Sequence, residues 1–117
     1  WEAEVDRIAG LGLIEQGHFR QFYSLLSETL RRCLEARTPV RAVEQTTFEI
    51  VRDLRVHAFD EDLVRQVQAL LSEADMVKFA KFQPEEPTAR LALETVRRIV
   101  HTVIRSTEPE PVEDTAP

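Results

Sequence analysis

His18-Phe19-Arg20-Gln21-Phe22-Tyr23-Ser24-Leu25-Leu26-Ser27-Glu28-Thr29-Leu30-Arg31-Arg32-Cys33-Leu34-Glu35-Ala36-Arg37 is the stretch on which the fold turns. At about 100° per residue, Phe19, Phe22, Tyr23, Leu26, Leu30, Cys33 and Leu34 gather into an arc of roughly 120°. Arg20, Gln21, Ser24, Ser27, Glu28, Arg31, Arg32 and Glu35 fall opposite. Leu25 lies off the stripe, where it can cover a neighbouring helix. So broad an apolar face requires several partners, which makes this the central helix. Pro39 ends it by disfavouring helical geometry at Thr38.

Towards the N-terminus, Trp1, Val5, Ile8, Ala9 and Gly12 share one side at helical spacing. They predict a first helix over 2–16, weakened by Gly10 and Gly12 and stopped at Gly17. Towards the C-terminus, Thr46-Thr47-Phe48-Glu49 has the spacing of a capping box, with Thr46 as N-cap of a third helix over 47–56. Asp60 should cap a fourth helix, in which Leu63, Val67, Leu70, Ala74 and Val77 form the stripe. Pro84 and Pro87 bracket a break, after which Thr88 is expected to cap a fifth helix to about Ser106. There Ala92, Leu93, Val96, Ile99, Val100, Val103 and Ile104 face one way, opposite Arg90, Glu94, Arg97, Arg98, His101 and Arg105.

The 117 residues, 43% of them hydrophobic, suit one core of ordinary size. Only three glycines occur, too few for a fold built on frequent turns. The predicted class is all-α: a small, mostly antiparallel bundle of about five helices over 1–106, followed by a disordered acidic tail over 107–117. The net charge is −6, and setting aside the four carboxylates of that tail leaves −2 for residues 1–106. This balance gives no general attraction to phosphate backbones. Residues 60–75 are acidic and 88–106 basic, so the fourth and fifth helices are expected to match charges side by side.

Chemical signatures are few. Cys33 is the single cysteine; it lies on the apolar stripe and reads as a small buried hydrophobe. His18, His57 and His101 stand singly, with no metal-ligand spacing among them. No phosphate-binding glycine loop or nucleophile elbow is present. The sequence therefore reads as non-enzymatic, with no cofactor and no metal. The arginine face of the last helix, Arg90, Arg97, Arg98 and Arg105, supports an alternative reading as a nucleic-acid-associated domain. A solvated face is the preferred account of it, because the domain lacks a net basic footprint.

One segment fits the amphipathic pattern poorly. Asp75, Lys78, Phe79, Lys81 and Phe82 crowd the end of the fourth helix, and Lys78 and Lys81 are the only two lysines in the chain. One reading folds both phenylalanines onto the core while the lysines meet the terminal carbonyls. The other makes the five residues a docking patch in which aromatics anchor a protein partner and charges set register. Arg31 is a candidate ion partner for Asp75.

Taken together, Gly12-Leu13-Ile14-Glu15-Gln16-Gly17, Phe22-Tyr23-Ser24-Leu25-Leu26-Ser27, Leu30-Arg31-Arg32-Cys33-Leu34-Glu35-Ala36-Arg37, Thr46-Thr47-Phe48-Glu49 and Ala74-Asp75-Met76-Val77-Lys78-Phe79-Ala80-Lys81 carry a resemblance. They resemble the C-terminal cytoplasmic helical domain of bacterial BatD-like, membrane-anchored proteins of aerotolerance operons and their uncharacterised relatives. The resemblance covers residues 8–105, most of the chain. It departs at Cys33, where such relatives more often have tyrosine. It implies a place on the cytoplasmic side of the inner membrane, with a membrane segment outside this chain, and a start at Trp1 fits a piece of a longer protein. It further implies a protein partner, a MoxR-type AAA ATPase or a von Willebrand factor A domain protein, and carries no catalytic residue.

Overall fold

The computed structural model describes residues 1–108. Among these residues the chain forms five α-helices and no strand: α1 (Glu2–Ala9), α2 (Phe19–Arg37), α3 (Thr47–Val56), α4 (Glu61–Phe79) and α5 (Glu86–Thr107), with a short 3₁₀ turn at Ala42–Glu44 before α3. The expected tail lies outside the described residues from position 109 on.

The stripe of α2 is buried as its spacing predicts. Phe22, Tyr23, Leu26, Leu30, Cys33 and Leu34 are all closed off from solvent, while Phe19 and Leu25 pack against the core from its margin. α2 contacts α1, α4, α5 and the 3₁₀ turn, so it occupies the centre. Contacts fix the directions of its neighbours. The Tyr23 hydroxyl donates to Glu73 near the end of α4, which sets α2 and α4 antiparallel. Arg37 donates to Thr107 and to the Ile104 carbonyl, so α2 and α5 end together and run parallel. Thr47 reaches Asp75 while Arg55 reaches Glu61, which sets α3 antiparallel to α4. Thus α2, α3 and α5 run one way and α1 and α4 the other, and among the closely packed helix pairs only α2/α5 is parallel.

The capping box forms as expected. Thr46 Oγ1 accepts from the Glu49 N–H, and Glu49 accepts from the Thr46 N–H. That second bond holds the Glu49 carboxyl below its ordinary range. Other boundaries differ from the sequence expectation. α1 stops at Ala9 rather than near residue 16. Gly12 and Gly17 then adopt φ +71° and +75°, left-handed values that glycine accepts without a Cβ clash. The intervening turn, closed by Gln16 N–H to Gly12 and His18 N–H to Leu13, tucks Leu13 and Ile14 into the core. Asp60 is the N-cap residue of α4, but only its backbone carbonyl participates. α5 starts at Glu86, not after Thr88, because Pro87 falls within the first turn, where its missing N–H would have no helical acceptor.

Candidate functional site

The end of α4 is where the apolar pattern and the observed burial part company. Val77 is the last core residue of the helix. On the helical wheel Phe79 lies about 135° from the centre of the buried stripe, and it is 74% exposed; Phe82 is 42% exposed. The expectation that these rings fold onto the core is therefore corrected. Two residues past Val77, Phe79 points away from the stripe, on a side where it stays open to solvent. Lys78 lies against the Phe79 ring, its Nζ 5.3 Å from the centroid, within reach of a cation–π attraction.

The helix ends by a left-handed residue, with the Phe82 N–H donating to the Met76 carbonyl across six residues. That residue is Lys81 at φ +57°, where glycine is the usual occupant. A lysine there costs roughly 1–2 kcal/mol. Neither ammonium donates to the terminal carbonyls among the described residues.

Two grooves flank this end. The first runs between the start of α2 and the end of α4 and has a volume of about 590 Å³. It is lined on one side by His18, Phe19, Arg20 and Gln21, and on the other by Lys78, Lys81 and Phe82. The second lies between α3 and α4 and has a volume of about 680 Å³, with Phe48, Val51 and Val56 on one wall and Gln68 and Ser72 on the other. On α4, Gln68, Ser72, Asp75, Met76 and Phe79 fall within about 100° of one another. The exposed Met76 and Phe79 thus lie on the same face of α4 as the groove residues Gln68 and Ser72. Phe48, itself 75% exposed, stands opposite.

Asp75 has a structural task in this arrangement. Its carboxylate accepts from Thr47 Oγ1 at 2.7 Å, joining α3 to α4. The expected ion pair with Arg31 is not made. Arg31 instead donates to Ser27 and to the carbonyls of Ala42 and Gln45, anchoring the 3₁₀ turn to α2. Of the five candidate contact residues, the structure thus brings Lys78, Phe79, Lys81 and Phe82 together at an open surface and assigns Asp75 to helix pairing. The exposed Phe48 was missed because its neighbour Thr47 belongs to the capping segment, which accounted for the stretch without it.

The charge match also differs from expectation. Arg90 pairs with Glu86 and Glu15 at 2.6 and 3.0 Å, Arg97 with Asp6 and Glu94, and His101 Nδ1 lies 3.0 Å from Glu2. The arginine face of α5 is thus met by α1 and the turn after it, not by the acidic start of α4. Glu61 of that start bonds to Arg55 of α3 at 2.8 Å. In contrast, Arg20, Lys78 and Lys81 form no ion pair among the described residues. None of the residues lining their groove is acidic.

Further chemistry is sparse. Cys33 is fully enclosed, and burial pushes its thiol pKa up, which leaves it a poor nucleophile. Among the described residues no three His, Cys, Asp or Glu side chains cluster as a metal site. Among them too, no helix is long and apolar enough to cross a membrane. No protein family, curated protein or solved structure was found to match this chain.

Proposed function

We propose that this domain is a non-enzymatic protein-docking module whose contact surface is the C-terminal end of α4. The observation that carries the reading is the exposure of Phe79, at 74%, beside Lys78 and Phe82. A large ring turned from the core and backed by a cation is the residue type that anchors interfaces. Phe48 and Met76 extend the apolar surface along the α3/α4 face. Single exposed apolar residues are ordinary, but here four of them, Phe48, Val56, Met76 and Phe79, share one face of the α3/α4 pair.

The BatD-like resemblance supports a place for the module on the cytoplasmic side of a bacterial inner membrane. There it would position a MoxR-type ATPase or a von Willebrand factor A domain protein.

A pull-down from native lysate with wild type and with Phe79→Ala/Phe82→Ala tests this reading. Circular dichroism first establishes that the variant is folded. The expected result is a specific protein retained by wild type and lost by the folded variant. Identical retention by both overturns the assignment.

A further inference from the structure

The free cations of this molecule are not scattered evenly. Of its fifteen lysines and arginines, seven form ion pairs with carboxylates: Arg7, Arg32, Arg52, Arg55, Arg65, Arg90 and Arg97. Arg31 and Arg37 donate to backbone carbonyls. Among the described residues, six remain without either kind of partner, and three of those six, Arg20, Lys78 and Lys81, line one groove. They reach it from two helices far apart in sequence. Lys81 is held there by a backbone conformation that disfavours lysine. In a chain of net charge −6, leaving three unpaired cations together works against the folded domain through mutual repulsion.

Resting on the docking reading above, we infer that this groove receives a carboxylate-rich segment of the protein partner. Arg20, Lys78 and Lys81 supply the charge, and the half-exposed Phe82 with Phe19 supplies the apolar seat. Charge complementarity selects the occupant. The groove is locally positive, while the domain as a whole is negative. A nucleic acid or an anionic bilayer presents a long array of charge and meets the acids outside the groove as well. A short acidic peptide meets only the groove. The first turn of α2 is consistent with this choice, since it contains Arg20 and no acid, although a helix start attracts negative charge.

The test is fluorescence anisotropy with a short labelled peptide of alternating glutamate and leucine, compared with its glutamine counterpart. Lys78→Glu/Lys81→Glu is set against Arg98→Glu/Arg105→Glu, which changes the net charge equally at two free cations outside the groove. The expected result is binding of the glutamate peptide that weakens by about tenfold or more in the lysine variant and by less than about twofold in the α5 variant. If Lys81→Glu disturbs the helix end in circular dichroism, Arg20→Glu/Lys78→Glu makes the same comparison from helical positions.

Equal weakening in both variants, equal binding of the glutamine peptide, or preferential binding of labelled oligothymidylate or phosphatidylserine vesicles overturns the inference. If the glutamate peptide fails while Phe79→Ala/Phe82→Ala still loses the lysate partner, the acidic class is overturned and the docking reading stands. If both fail, both are overturned.

Discussion

Two aromatic pairs, one near the start of α2 and one at the end of α4, have opposite fates. Phe22 and Tyr23 lie in the second turn of α2 and are 1% and 0% exposed. Their rings meet edge to face with centroids 5.6 Å apart. Phe79 and Phe82 lie at the end of α4 and face solvent. The first pair has α2's neighbours on every side, and Tyr23 also has a hydroxyl partner in Glu73. The second pair lies where α4 has run past its last core contact. The same phenylalanine ring is thus structural at position 22 and available for recognition at position 79, and what decides between them is whether a neighbouring helix covers the position.

The largest way to break this comparison is Phe22→Ala. Removing a fully enclosed ring loses its burial and leaves a cavity, so urea unfolding should show a destabilisation of about 3–5 kcal/mol. A loss below about 1 kcal/mol would mean that the pair is not the centre of the core. Tyr23→Phe is gentler. It removes one bond to a carboxylate and leaves Glu73 without that donor, with an expected cost of about 1–2 kcal/mol.

The same pair has a pH signature. Burial first, then the charge and hydrogen bond of Glu73, raise the Tyr23 hydroxyl well above its ordinary pKa of 10.0. A raised pKa stabilises the folded state while the group stays protonated, so this contribution is complete below about pH 10 and is lost as pH climbs towards the folded value. Tyr23 is the only tyrosine, which makes tyrosinate absorbance a clean probe. Ionisation should coincide with alkaline unfolding, and Tyr23→Phe should unfold with a weaker dependence on pH above 10. Ionisation in the ordinary range with the fold intact would contradict the buried placement.

Intermediate in size is Thr46→Ala, which removes the capping box of α3 and should cost about 1 kcal/mol. It sharpens the comparison because Phe48 lies within the capped turn. Smallest of all, Phe79→Ala should change unfolding free energy by no more than about 0.5 kcal/mol. A loss approaching that of Phe22→Ala would make Phe79 a core residue and remove the basis for docking.

Much of this was legible in the chain. The α2 stripe and the Thr46–Glu49 box follow from local spacing, and both appear where that spacing put them. What local pattern does not carry is the arrangement of one helix against another. The turn at 10–17 was read as helix because Gly12 continues the helical spacing of Val5, Ile8 and Ala9, whereas two left-handed glycines there bury Leu13 and Ile14 without a helix. The arginines of α5 found α1 rather than α4 because helix proximity, not regional charge, decides which side chains meet. Phe79 could be placed off the stripe by its angle, yet its exposure depended on no helix arriving there.

Cross-linking tests the central claim most directly. A benzoylphenylalanine photo-crosslinker replacing Phe79 is compared, in native cells, with one replacing Leu91, which is likewise exposed but on α5. The account predicts a discrete protein adduct from position 79, absent from position 91 and lost on adding Lys78→Glu/Lys81→Glu. No adduct at 79, or the same adduct from both positions, would contradict it.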